Sequence, residues 1–117
     1  MRLKSALWVK AFMRRAIGEG AFAAVLRHGD DDAGAVYIKI ATFDGAVMLY
    51  GPAPVYALDP DGGRKWYQIT TDAEMVETVF EREVQIDPDF WVVEIEDRAG
   101  RHFLNDDEVY HAPEDDA

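Results

Sequence analysis

The chain has 117 residues, no cysteine, and a net charge of −11 from 12 basic and 23 acidic side chains. Without cysteine there are no disulfides, thiolate metal sites or cysteine nucleophiles. The acidic balance argues against nucleic-acid binding, because phosphate backbones reward clustered Lys and Arg.

Half of the chain is apolar (49 %) and 12 % is aromatic, which suits a packed core in a domain of this size. Charge is unevenly spread. Arg2, Lys4, Lys10, Arg14 and Arg15 precede the first acid, Glu19, so a basic N-terminal element meets an acidic body. The basic start resembles a signal peptide, but its uncharged run from Ser5 to Val9 is too short for one, and too short for a membrane span. These features predict a cytoplasmic protein without membrane association.

Ser5 to Ile17 reads as an amphipathic helix capped by Ser5 and stopped by Gly18 and Gly20. Trp8, Val9, Phe12, Met13 and Ala16 share one face; Lys4, Lys10, Arg14 and Arg15 share the other. Three strands are expected next: Ala21 to His28, Ala35 to Ala41, and Ala46 to Tyr50. Asp44-Gly45 is a hairpin signal between the second and third, so an antiparallel meander is expected. Pro52 and Pro54 end the third strand. Asp59 to Gly63 is a turn and Arg64 to Thr70 a fourth strand.

Thr71 or Asp72 caps a second helix, which ends before Asp87-Pro88 because a residue preceding proline leaves the α region. Glu83 falls within the apolar arc of that helix. It is expected to be partly buried beside a cation such as Arg14 or Arg15. Phe90 to Glu96 is a fifth strand whose Trp91, Val93 and Ile95 pack while Val92, Glu94 and Glu96 reach water. Arg101 to Leu104 reads as a short sixth strand, and residues 105–117 as a mobile acidic tail on a domain spanning 1–104.

Phosphate loops, the Gly-x-Ser-x-Gly elbow and His-Glu-x-x-His are absent from the sequence. The histidines are His28, His102 and His111. Pairing His28 with Asp30 to Asp32, or His102 with Asp106 and Asp107, puts the acids on turns or in the tail, where charge is normally solvated. No metal, cofactor or catalytic residue is therefore assigned. The densest polar group on ordered structure is Glu94, Glu96, Asp97, Arg98, Arg101 and His102. Surface pairing across the turn is its ordinary fate. The rival is a small metal-assisted hydrolase using Glu94, Glu96 and His102. Tyr37, Tyr50, Pro52, Pro54, Trp66 and Tyr67 form a candidate partner surface, since aromatics exceed what a small core needs.

Three segments then carry a family resemblance: Met1 to Ser5, Leu49-Tyr-Gly-Pro-Ala-Pro54, and Asp87-Pro-Asp-Phe-Trp-Val-Val-Glu-Ile-Glu-Asp-Arg-Ala-Gly-Arg-His-Phe-Leu104. Together they resemble a small family of bacterial, alphaproteobacterial domains of unknown function. The resemblance implies a cytoplasmic bacterial protein and brings no activity, cofactor or catalytic residue.

The expected fold is α+β: a single antiparallel sheet of about five strands with two helices packed on one face, in the order α-β-β-β-β-α-β. A ferredoxin-like arrangement fits less well, because no helix separates the first three strands. The expected function is non-enzymatic protein binding, through a protein partner or a homo-oligomer, with neither nucleic acid nor membrane.

Overall fold

The computed structural model describes residues 3–54 and 63–111. Two helices and five strands follow in chain order: α1 (Ser5–Gly18), β1 (Phe22–Arg27), β2 (Val36–Ala41), β3 (Val47–Pro52), β4 (Trp66–Thr70), α2 (Ala73–Ile86) and β5 (Trp91–Glu96). A short 3-10 turn covers Asp106–Glu108. Among the described residues, no helix is long and apolar enough to cross a membrane.

The strands form one sheet in the order β1-β5-β2-β3-β4. β5 lies parallel to β2, with Val36 opposite Trp91 and Ile40 opposite Ile95. The other three pairings are antiparallel. The sheet is thus mixed, and the expected meander of the first three strands is corrected. β5 is inserted between β1 and β2, and the meander is β2-β3-β4.

The two helices cover opposite faces of the sheet rather than one. Alternate residues of a strand point to opposite sides. Val36, Ile38 and Ile40 pack with Trp8, Val9, Phe12 and Ala16 of α1. Tyr37, between them, packs with Val76, Val79 and Phe80 of α2. β5 repeats the division: Trp91, Val93 and Ile95 face α1, while Val92 lies under α2. Val92 is 3 % exposed and does not reach water as the alternation suggested. A strand with a neighbour on both edges and a helix on both faces needs apolar residues on both sides.

The crossover from β1 to β2 passes the start of β5 closely. The amide of Asp30 donates to the Asp89 carbonyl at 2.9 Å, and that of Trp91 to the Ala35 carbonyl at 2.7 Å. Side chains have no room here. A Cβ on Gly29 would lie 2.5 Å from the Asp89 carbonyl oxygen, and one on Gly34 2.6 Å from it. Residues 42–46 form the expected hairpin turn, with Gly45 at φ +95°.

Lys4, not Ser5, is the N-cap of α1. Ser5 is fully buried and its hydroxyl donates to the Gly34 carbonyl at 2.6 Å, tying the helix to the crossover. Asp72 caps α2, accepting from the Glu74 amide at 2.9 Å. No sixth strand forms over 101–104, since Phe103 takes a left-handed φ of 60° and breaks the extended run.

Residues 105–111, expected in the tail, are tied to the body. The Tyr110 amide donates to the Trp66 carbonyl at 2.7 Å, and Val109 forms a parallel bridge with Trp66. Glu108 accepts from Trp8 Nε1 at 3.0 Å and from Arg15 at 2.8 Å. The Asp59 to Gly62 part of the predicted turn, and the acids after His111, lie outside the described residues.

Candidate functional site

The polar group predicted around β5 is divided by the sheet. Glu94 lies on the α2 side, half-buried, with Lys39 Nζ 3.6 Å from its carboxylate. Glu96 is exposed at the strand end and Arg98 is exposed in the turn. His102 lies on the α1 side, its ring edge-on to Tyr50 at 5.3 Å between centroids. Its Nδ1 accepts from the Leu104 amide at 2.9 Å, and burial lowers its pKa. Glu94 and His102 therefore do not converge, and the hydrolase constellation does not assemble.

The buried acid of this polar group is Asp97. It receives the Arg101 backbone amide at 2.8 Å, Nε at 3.2 Å and Nη2 at 2.9 Å. These Arg101 hydrogen bonds hold its pKa down at about 2. Arg101 also donates to the Glu19 carbonyl at 3.0 Å, so the pair ties the turn after β5 to the end of α1. Every strong polar contact of Asp97 is internal, which makes it a structural fastener. Among the described residues, no group of three His, Asp or Glu side chains is placed to hold a metal ion.

Glu83 is half-buried, as expected, but its carboxylate acts on the Tyr37 hydroxyl, and among the described residues no cation forms an ion pair with it. Burial first, and the Glu83 carboxylate second, push the Tyr37 pKa up. Of the two expected cations, Arg15 pairs with Glu108 instead, and Arg14 is exposed with no ion pair among the described residues.

The aromatic partner surface is corrected as well. Tyr37, Tyr50 and Trp66 are core residues, 8 %, 9 % and 2 % exposed. Pro52 and Pro54 are half-buried, and Tyr67 alone of the group is exposed. With a helix on each face, the sheet has no bare side for these rings to line.

A stretch of exposed apolar surface lies at the β1 edge of the sheet. Phe22, Val25 and Leu26 of β1 all face solvent. Among the described residues nothing pairs with the outer side of this strand. Its unpaired groups can be assigned. Trp91 and Asp97 send their amides to Ala35 and Ala41, on the β2 side. The even-numbered residues of β5 therefore bond towards β1, and Phe22 and Ala24, opposite Glu96 and Glu94, are its hydrogen-bonded partners. Ala23 and Val25 consequently point N–H and C=O outward.

A groove flanks this edge on each face. On the α1 side a groove of about 520 Å³ is lined by Val25 and the exposed helix stripe Leu7, Lys10, Arg14 and Ile17. On the α2 side a cavity of about 310 Å³ is lined by Leu26, Phe80, Val84, Phe90 and Val92, with Arg27, Lys39, Glu77 and Glu81 completing it. Arg27 is held over the Phe90 ring at 4.4 Å, its Nη2 donating to the Pro88 carbonyl. A bulge between Val25 and Arg27 turns Leu26 out of register.

This edge was not singled out from the sequence. Its signal was the near-absence of charge across Phe-Ala-Ala-Val-Leu-Arg, which reads equally as a buried strand.

These features define an α+β protein with one mixed sheet between two helices and, among the described residues, an uncovered β1 edge. The chain belongs to the DUF1491 family: the model of this family, described as a protein of unknown function, matches residues 3–105. The crystal structure of a DUF1491 family protein from Caulobacter crescentus CB15 is 44 % identical, with TM-score 0.76 over 92 % of this chain and 98 % of that one. An NMR structure of a DUF1491 family protein from the same source is 44 % identical, with TM-score 0.77 over 95 % and 99 %. The solution structure of protein Atu0922 from A. tumefaciens is 39 % identical, with TM-score 0.73 over 83 % and 87 %. No curated protein matches this chain.

Proposed function

We propose that this is a non-enzymatic, cytoplasmic protein-binding domain that captures an extended segment of a partner as a sixth strand on β1. The observation that carries this reading is the contrast between the two sheet edges. The β4 edge has Val109 and Tyr110 laid against Trp66. The β1 edge has exposed Phe22, Val25 and Leu26 and no covering segment among the described residues. Edges of this kind are templates for strand addition, and proteins ordinarily blunt them with charge, proline or a cover. In strand addition the backbone supplies affinity and grooves for alternate side chains supply specificity. Both parts are present at β1.

Site-specific photo-crosslinking in the native bacterium tests the reading. A photoreactive residue at position 25 is expected to give a discrete protein adduct, and one at position 67 on the opposite edge none. Ala23→Pro, which deletes an outward N–H while leaving the β1–β5 bonds, should abolish the adduct. Equal adducts from both positions, or one indifferent to Ala23→Pro, would overturn the reading.

A further inference from the structure

Resting on that strand-addition reading, we infer that the partner segment is an acidic one: an extended stretch whose carboxylates face α1 and whose apolar side chains face α2. Charge at the edge carries this. Lys10 and Arg14 stand one helical turn apart on the exposed stripe of α1 that borders β1. Both are solvent-exposed, and among the described residues no acid lies within ion-pair reach of either. That is unusual in a chain with 23 acids and 12 bases. Acids around α1 have other partners. Asp32 sits 3.6 Å from Lys4 and Glu19 3.9 Å from Arg101, and Asp31 shares a 2.8 Å hydrogen bond with His28. A strand laid beside β1 places every second side chain over this stripe, about 7 Å apart along the strand. Carboxylates there meet Lys10 and Arg14, and their methylenes cover Leu7 and Ile17.

The other face selects differently. Its cavity has an apolar floor of Phe80, Phe90 and Val92, and Glu77 and Glu81 on its lining are balanced by Arg27 and Lys39. Acids of the partner gain no net attraction there, while branched apolar side chains fill the space beside Leu26 and Val84.

The same geometry disfavours a second copy of this chain as the occupant. Two copies joined by antiparallel β1 edges would bring their α1 stripes side by side on one face, Lys10 and Arg14 against Lys10 and Arg14.

The test uses two capped octapeptides, one alternating Ile and Glu, the other alternating Ile and Lys, titrated into the full chain by calorimetry and NMR. The Ile/Glu peptide is expected to bind at least about tenfold more tightly, the weight of one to two well-placed charge contacts. The double variant Lys10→Glu with Arg14→Glu should invert the preference. The amides of Ala23 and Val25 should gain exchange protection on binding, a readout on the unaltered chain that needs no variant to fold. If both peptides bind alike and protect these amides, the acidic partner is overturned while strand addition stands. If the amides gain no protection and Val25→Pro binds as well as the parent, strand addition itself falls. A free protein that sediments as a dimer, and as a monomer after Val25→Pro, would assign the edge to a second copy and overturn the acidic partner. Binding to vesicles containing phosphatidylserine with no peptide preference would overturn it equally.

Discussion

Asp97 and His102 are five residues apart and both make this fold sensitive to acid, by different routes. The Asp97 carboxylate is buried and held by Arg101, so its pKa falls from the usual 3.8 to about 2. The unfolded chain takes up that proton first, so the stabilisation is complete above pH 3.8 and disappears as pH falls towards 2. His102 is lowered from 6.5 by burial, against a smaller opposing pull from Asp106. Here too the unfolded state binds the proton more readily, so stability declines as pH drops below 6.5. Urea midpoints measured from pH 7 to 2 should therefore fall in two stages. His102→Gln should flatten the upper stage and Asp97→Asn the lower. Asp97→Asn should also cost about 1–3 kcal/mol at neutral pH, through the lost charge-assisted hydrogen bonds. Gly29 is critical for a steric reason. Gly29→Ala drives a Cβ to 2.5 Å from the Asp89 carbonyl, so the crossover must shift, and a cost of about 1–3 kcal/mol is expected by thermal or chemical unfolding.

At the scale of elements, tryptophans hold the connections. Trp8 stacks on Trp66 at 4.1 Å and on Phe12 at 4.8 Å, and its indole N–H reaches Glu108. Trp66 donates to the Val36 carbonyl at 2.8 Å, and Trp91 to the Asp30 carbonyl at 2.8 Å. Each ring buries apolar area and also satisfies its one polar atom, which keeps burial from costing a hydrogen bond. Trp8→Ala should cost about 3–5 kcal/mol in denaturant unfolding, and Glu108→Ala less, about 1–3 kcal/mol. If Glu108→Ala proves neutral, residues 105–111 are not part of the stable body.

The elements themselves were legible in the sequence because their signals are local: the α1 stripe, the Asp44-Gly45 turn, the Asp72 cap and the break at Pro88. Their arrangement was not. Parallel pairing of β5 with β2 joins residues 55 apart, such as Val36 and Trp91, and leaves no mark on either strand alone. The second covered face was hidden by its composition. Val92 and Glu94 read as a wet face, yet Val92 is buried by α2 and Glu94 pairs with Lys39. For the candidate site the sequence pointed at charge density, which the sheet divides between its two faces, and passed over a strand whose interest is the absence of charge.

Across the whole molecule, the order β1-β5-β2-β3-β4 predicts a gradient of local stability. β5 and β2 have neighbours on both edges and a helix on both faces, so their amides should open only with global unfolding. The outer strands should exchange sooner, but not equally. At β4, Val109 and Tyr110 are docked on Trp66 and must leave before that end opens. At β1 no such cover exists among the described residues, and protection should alternate within the strand. Ala24 bonds inward to β5 and should be protected, while Ala23 and Val25 point outward and should exchange nearly as fast as an unstructured chain. Amide exchange followed residue by residue by NMR reads this directly. Slow exchange at Ala23 and Val25 in the free protein would mean that the edge is already paired, and the open strand on which the binding proposal rests would not exist.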